Sequence, residues 1–271
     1  REFAEAIGAW VFSMFQRRPG LLGGPAYWSI TPAVDPPEIE SAVPVGFGED
    51  TAYLGGRWQG LVESVLAVPG DVSRLGDPAE HRRATLLALL QARELRLMSL
   101  WHPSLASVLL DSMRRGWGDL LEALPDRARR QELERCGPDD CRGIWPKLGL
   151  ISCWGDGPAA VSLVRLRQEF PGVEIQPKGL LATEGVVSIP YGEDHPVALC
   201  SHFFEFLDPA GELRLVHELE DGAEYSVVIT TGGGLVRYRL GDRVKVSGRV
   251  GSTPSRQPRL TPYWFGLERL L

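Results

Sequence analysis

The chain has 271 residues, 29 Lys+Arg against 35 Asp+Glu for a formal charge of −6, 44% hydrophobic residues and 24% charged ones. This balance excludes a wholly disordered chain, and a domain of this length buries about 75% of its unfolded surface without needing a disulfide or a metal as a staple. The mild acidity argues against a nucleic-acid partner, which would want a basic stripe, and no apolar run is long enough to cross a bilayer as a helix.

The first residue is Arg1 and it falls inside a helical pattern, with no basic-then-apolar signal segment. The expectation is an internal piece of a longer protein, or a processed or fragmentary gene product. From Glu2 to Arg18, apolar residues at Phe3, Ile7, Trp10, Val11, Met14 and Phe15 keep helical spacing, and Pro19-Gly20 ends the run. Gly23 to Gly48 is rich in Pro and Gly and reads as loop with short extended pieces. Asp50 to Leu66 fits neither period cleanly. Asp77 as N-cap and Pro78 at the first helical position open a long helix, with a stripe at Leu86, Leu89, Leu90, Leu97 and Leu100. Pro103 interrupts it, and helices follow over Ser104–Arg115, Gly118–Leu124 and Asp126–Arg135.

The period then changes. Leu148–Ser152 is a short apolar run fit for a strand, Gly155-Asp156-Gly157-Pro158 is a turn, and Ala159–Phe170 is a helix closed by Pro171-Gly172. Strand-like runs follow at Val173–Gln176, Val186–Ile189, Val197–Leu199, Phe203–Leu207, Tyr225–Thr231, Leu235–Leu240 and Arg243–Val246. Gly232-Gly233-Gly234 joins two of them as a hairpin. The class is mixed α/β, helix-rich in the first half and sheet-rich in the second.

The four cysteines, Cys136, Cys141, Cys153 and Cys200, form no CxxC pair and read as reduced thiols of a cytoplasmic protein. The five histidines supply no zinc cluster with them. No GxSxG elbow is present, so a serine nucleophile has no motif to rest on. His202, beside Phe203-Phe204, reads as a satisfied strand histidine rather than a base.

Three segments could carry chemistry. In Leu181-Ala182-Thr183-Glu184-Gly185, Thr183 offers a hydroxyl and an N–H to a phosphate, and Glu184 a hard carboxylate to Mg²⁺. In Tyr238-Arg239-Leu240-Gly241-Asp242, the glycine can turn the chain and the carboxylate of Asp242 can accept from two ribose hydroxyls. In Ser152-Cys153-Trp154-Gly155-Asp156-Gly157, a helix N-terminus follows glycines that let backbone approach a flat base. Each alone is better read as an ordinary turn.

Taken in order, the segments add up to more. Trp145-Pro146-Lys147-Leu148, Ser152-Cys153-Trp154, Lys178 to Gly185, Ser201 to Phe206, His217-Glu218-Leu219, Thr230 to Leu235 and Tyr238 to Asp242 follow one another. Ala26 to Ile30 and Ser99 to Ser104 precede them. This order resembles the Gretchen Hagen family of auxin-responsive acyl acid–amido synthetases, most of all its bacterial members, over nearly the whole chain to about Gly248.

The resemblance implies an adenylate-forming fold, shared with acyl-CoA synthetases and luciferases, present as an incomplete large N-terminal domain. Residues 1–145 would be its helix-rich, acyl-pocket side, 146–250 its β-rich nucleotide-binding part, and 251–271 a divergent tail with the C-terminal domain absent. It implies ATP and Mg²⁺ as cofactors, with a small carboxylic acid and an amino acid or other amine as substrates. Thr183 would contact phosphate and Glu184 would hold the metal, the two making up the catalytic turn. Trp154, Gly155, Phe204, Arg239 and Asp242 would bind nucleotide, while Trp101 and Ser104 would line the acyl pocket. A non-catalytic nucleotide-binding remnant and a thioester-forming coenzyme A ligase stay open beside amide formation.

Some family features differ here. Val236 stands where an aromatic is usual, and Phe265-Gly266-Leu267-Glu268 matches the expected Phe-x-Gly-Arg poorly. The family's phosphate-cradling Ser/Thr/Gly loop would lie before Arg1. The purified 271-residue chain is therefore expected to turn over little or nothing, and pyrophosphate release above blank in an ATP-plus-acid assay would contradict that.

Overall fold

The structure is a computed structural model that describes residues 2–29, 65–250 and 257–263, the last as backbone only. Among them are seven α-helices: α1 (Glu2–Arg17), α2 (Pro78–Gln91), α3 (Pro103–Arg115), α4 (Trp117–Ala123), α5 (Arg127–Cys136), α6 (Cys141–Ile144) and α7 (Ala159–Glu169). Nine strands complete the set: β1 (Ala26–Trp28), β2 (Leu97–Ser99), β3 (Leu150–Trp154), β4 (Glu174–Lys178), β5 (Phe203–Leu207), β6 (Leu213–Arg214), β7 (Glu224–Thr230), β8 (Tyr238–Val250) and β9 (Gln257–Tyr263). They form a four-stranded sheet in the order β1-β2-β3-β4 and a five-stranded sheet in the order β6-β5-β7-β8-β9. The pairs β1–β2 and β2–β3 are parallel, while every pair of the second sheet is antiparallel. No described helix is long and apolar enough to cross a membrane.

The chain divides into two compact units: Pro19–Cys153 with Val161–Ile175, and Arg1–Arg18 with Trp154–Ala160 and Gln176–Leu271. The period change near 145 marks a change of pattern; the compact units follow contacts, and α1 belongs with the antiparallel sheet.

In the helical unit, Asp77 caps α2 through its carboxylate on the Ala79 N–H, with Pro78 at the first position, as the sequence indicates. The helix stops at Gln91, however, and Leu97 lies in β2, a strand buried on both faces. Leu97 and Leu100 are thus not the end of a helical stripe. A short apolar run fits either period, and the parallel pairing with β1 and β3 decides for the strand. Leu89, Leu90, Leu95, Leu100, Met113, Leu133 and Ile144 fill the core around it.

Arg129 is buried at 5% exposure yet fully occupied. Its Nε donates to the Leu90 carbonyl at 2.8 Å, one Nη to the Ile144 carbonyl at 2.6 Å and the other to Glu132 at 2.7 Å. The two carbonyls end α2 and α6, where acceptors lack helical partners and the dipole favours a cation.

In the sheet unit, α1 forms as the sequence indicates, with Glu2 and Glu5 in the first turn and Arg17 in the last. Its buried face is Ala6, Ile7, Trp10 and Met14. A hydrophobic cluster of this unit holds Phe204, Phe206, Tyr225, Val227, Ile229, Val244 and Val246 on one face of the second sheet. Three strand expectations change. Val186–Ile189 and Val197–Leu199 make only the isolated bridges Leu181↔Val186 and Ser188↔Val197. Leu235–Arg237 stay outside any strand, while Tyr238–Leu240 and Arg243–Val246 belong to the single strand β8. Backbone of the tail, expected only to be divergent, adds β9 to the edge of β8. The segments 30–64, 251–256 and 264–271 lie outside the described residues, and most of the loop at 23–48 and the ambiguous stretch at 50–66 fall there.

A charge network ties α3 to α7. Arg114 donates to both oxygens of Glu169, at 3.0 and 2.5 Å, and to Asp139 at 2.7 Å, while Arg165 donates to Asp111 at 2.5 Å. The Arg114 guanidinium holds the Glu169 carboxyl below its ordinary range. A depressed carboxylate contributes stability above its unfolded-state pKa and loses it as pH falls through the folded value. Glu169→Ala should therefore cost ~1.5–3 kcal/mol at neutral pH. The gap to wild type should close at a pH well below the carboxylate range, as read by urea unfolding at the two pH values.

Candidate functional site

The chain leaves β4 and enters a tight turn over Ala182–Gly185. The Ala182 and Gly185 backbones exchange hydrogen bonds at 3.0 and 3.2 Å, and Leu181 bridges Val186. Thr183 and Glu184 form the tip, Thr183 exposed and Glu184 partly so. Gly185 is buried, and a Cβ there would stand 2.7 Å from His202 Nε2 and 3.3 Å from Ile229 Cδ1. The turn is therefore seated backbone-down on the sheet, with its two polar side chains pointing off it.

Beneath it runs β7. Ile229 pairs with Phe204 on β5 and with Tyr238 on β8, so the three side chains share a face. On that face the Tyr238 hydroxyl comes within 3.5 Å of a Glu184 carboxylate oxygen. Along β8 the register breaks: Val228 pairs with Arg239 and Ser226 with Arg243, so the step from 226 to 228 is matched by one from 239 to 243. Leu240, Gly241 and Asp242 on β8 thus stand against Val227 alone, two residues in excess, and Gly241 takes φ +86. The expected bend at Gly241-Asp242 is thus a bulge inside a continuous strand, and the half-buried Asp242 lies in it.

The other candidates fall in different places. Phe204 is 3% exposed and edge-on to His202, so it backs the face from inside the core. Arg239 stands opposite Val228, on the face away from Tyr238 and Glu184, and the structure does not bring it to them. Trp154 ends β3 and is 38% exposed. Gly155 follows it and lies against β4, where a Cβ would meet Pro177 Cβ at 2.7 Å. Burial pushes the neighbouring Asp156 carboxyl up, with His195 opposing the shift. In the helical unit, Trp101 follows the end of β2, and exposed Ser104 stands in the first turn of α3. His102 caps that helix, its Nδ1 accepting from the Ser104 N–H at 3.1 Å with the Ser104 hydroxyl 2.7 Å away.

Two residues in contact with this arrangement escape sequence reasoning. His202 Nδ1 lies 3.0 Å from the Glu2 carboxylate, and the same Glu2 oxygen accepts from the Gly232 N–H at 3.0 Å. His202 is thus only half satisfied, since its buried Nε2 has no hydrogen-bond partner. No local pattern announces a contact across 200 positions.

Against this geometry, residues 196–257 match the model of the GH3 family central domain, GH3 standing for Gretchen Hagen. The matched stretch holds Phe204, Tyr238 and Asp242. A probable indole-3-acetic acid-amido synthetase of Oryza sativa subsp. japonica is 30% identical over 184 residues, 56% of this chain and 36% of that protein. The chain is related to the GH3 family. A solved GH3.15 acyl acid amido synthetase superposes with a TM-score of 0.73 at 15% identity, over 93% of this chain and 50% of that one. A 2-hydroxyisobutyryl-CoA ligase solved with R3-HIB-AMP superposes with a TM-score of 0.53 at 17% identity, over 98% of this chain and 47% of that one. The fold is the one these solved chains share, and this chain spans about half the length of each.

The bulge supplies a clean test. A Cβ on Gly241 meets nothing within 4 Å, so Gly241→Ala strains only the backbone. It should cost ~1–2 kcal/mol, the price of a left-handed non-glycine residue. Gly241→Asn should cost less, since asparagine visits that region more readily, and denaturant midpoints of the two variants decide between these outcomes.

Proposed function

We propose that this chain carries the nucleotide-binding part of an ATP-dependent acid–amido synthetase. Such an enzyme activates a carboxylic acid as its adenylate and passes the acyl group to an amino acid or other amine. The observation that carries the reading is the meeting of the Thr183–Glu184 turn with Tyr238, on the strand whose bulge contains Asp242. Of the two acidic side chains, Glu184 sits on the turn that meets Tyr238 and Asp242 in the bulge of the strand that carries Tyr238.

The chemistry fits the donors. A carboxylate is a poor electrophile, and the reaction needs its oxygen lined up with the α-phosphorus while phosphate charge is neutralised. Thr183 presents a hydroxyl and an N–H to phosphate from the turn tip. Glu184 is the hard oxygen ligand that Mg²⁺ takes in ones or twos, completing its shell with phosphates and water. When bound, Mg²⁺ supplies positive charge to the phosphates. Tyr238 holds the Glu184 carboxylate in place, and Asp242 accepts from the ribose hydroxyls. Phe204 backs this face, Trp154 and Gly155 border the base, and Trp101 with Ser104 lines the acyl pocket. Arg239, on the opposite face, takes no part. Since the amine attacks the adenylate directly, no protein nucleophile is needed.

Calorimetry of the purified chain with AMP and with ATP·Mg²⁺ tests the reading. Losing a hydrogen bond to a charged group costs ~1.5–3 kcal/mol, about tenfold or more in affinity. Asp242→Ala should weaken both ligands by that factor. Glu184→Ala should weaken ATP·Mg²⁺ far more than metal-free AMP. Binding that ignores both substitutions would instead favour a nucleotide-binding remnant, and absence of binding by the unsubstituted chain would overturn the site.

A further inference from the structure

We infer that His202, gripped by Glu2, is a positioning residue that seats the Thr183–Glu184 turn and sets its distance from β8. This rests on reading that turn as the phosphate end of a nucleotide site; the seat itself is a matter of packing.

The His202 side chain is 4% exposed and stands just before β5. A carboxylate only accepts, so Nδ1 carries the proton it shares with Glu2 across 3.0 Å. That fixes the ring and turns Nε2 toward Gly185 without a hydrogen-bond partner. An unpaired buried nitrogen is a poor choice for filling space, where an apolar ring would do better. What the imidazole adds over an apolar ring is the grip on Glu2. Its other edge leaves Gly185 no slack: a Cβ would lie 2.7 Å from Nε2 and 2.8 Å from Cδ2. Movement of the ring therefore passes directly to the backbone of the turn.

Glu2 does a second thing with the same oxygen. It accepts from the Gly232 N–H, and that hydrogen bond is the main reason its carboxyl is held below the ordinary range, with His202 adding to it. Gly232 belongs to the turn between β7 and β8, where Gly234 N–H bonds to the Thr231 carbonyl and Thr231 N–H to the Leu235 carbonyl. That turn delivers the chain to Tyr238. One carboxylate on the first turn of α1 thus ties the seat of Glu184 to the approach of Tyr238, the two groups that meet at 3.5 Å.

The experiment uses the 271-residue chain. Amide hydrogen exchange is followed at 182–185 and 231–235, and AMP and ATP·Mg²⁺ affinities are measured beside it. Gly185→Ala should speed exchange of the first turn about tenfold by opening it. Adding His202→Ala should reverse that effect, because the methyl then enters vacated space. Independent destabilisation would only add. Glu2→Ala, at a partly exposed position, should speed exchange of both turns at once. His202→Asn, whose amide can donate from near the place of Nδ1, should keep more protection than His202→Ala. Nucleotide affinities should follow the same order. A double variant no better protected than Gly185→Ala, or Glu2→Ala leaving 182–185 unchanged, overturns the seat. If the unsubstituted chain binds no nucleotide, the functional reading fails while the exchange data still decide the seat.

Discussion

The backbone of Gly185 lies on the His202 ring and the Ile229 side chain with no room for a Cβ, and the candidate site is organised around that contact. A turn that touches a sheet through its backbone has lost its freedom to rock. Its outward side chains, exposed Thr183 and partly exposed Glu184, inherit the rigidity of the sheet below. β7 supplies that rigidity, being hydrogen-bonded on both sides, to β5 and β8, and buried at Val227, Val228 and Ile229. The polar groups proposed to meet a charged ligand are thus held largely by packing, which is dense and insensitive to a ligand's charge.

Charge is used differently in the two compact units. In the helical unit, Arg129 and Arg114 are spent on helix ends and on carboxylates, with short, multiple bonds that fix helices to one another. In the sheet unit, Glu205 and Arg237 close a bidentate pair at 2.9 and 2.8 Å across β5 and the approach to β8. Arg237 is the one described non-glycine residue with positive φ, at 49. Its N–H bonds to the Thr230 hydroxyl, so the strained backbone is held from both the main chain and the side chain. That constraint lies immediately before Tyr238. Glu2, Arg237 and the Gly241 bulge therefore all bear on one short stretch of β8.

Much of the secondary structure is legible from local pattern. Asp77-Pro78 opens a helix because its carboxylate and fixed φ do so wherever they occur, and Phe203–Leu207 alternates as a strand should. Failures cluster where a short apolar run had no local arbiter. Leu97 keeps helical spacing with Leu90 yet pairs in a parallel sheet, because burial on both faces removes the alternation that marks a strand. Val186 and Val197 are apolar enough for strands, but the segment around them is knit by side-chain bonds such as Ser201 to the Val186 carbonyl, which leave only single bridges.

The sequence by itself determined the α/β class, the helix caps, the ordered motifs that mark a GH3 relative, and the residue types a phosphate, a metal ion and a ribose would need. All of these depend on neighbours within a few positions, or on order along the chain. Only the tertiary structure decided that Tyr238 faces Glu184 while Arg239 faces away, that Asp242 lies in a bulge rather than a bend, and that Glu2 reaches His202. Strand register sets the first two, since a shift of one residue exchanges the faces of a sheet. The third joins residues 200 positions apart through packing of α1, which no local pattern encodes.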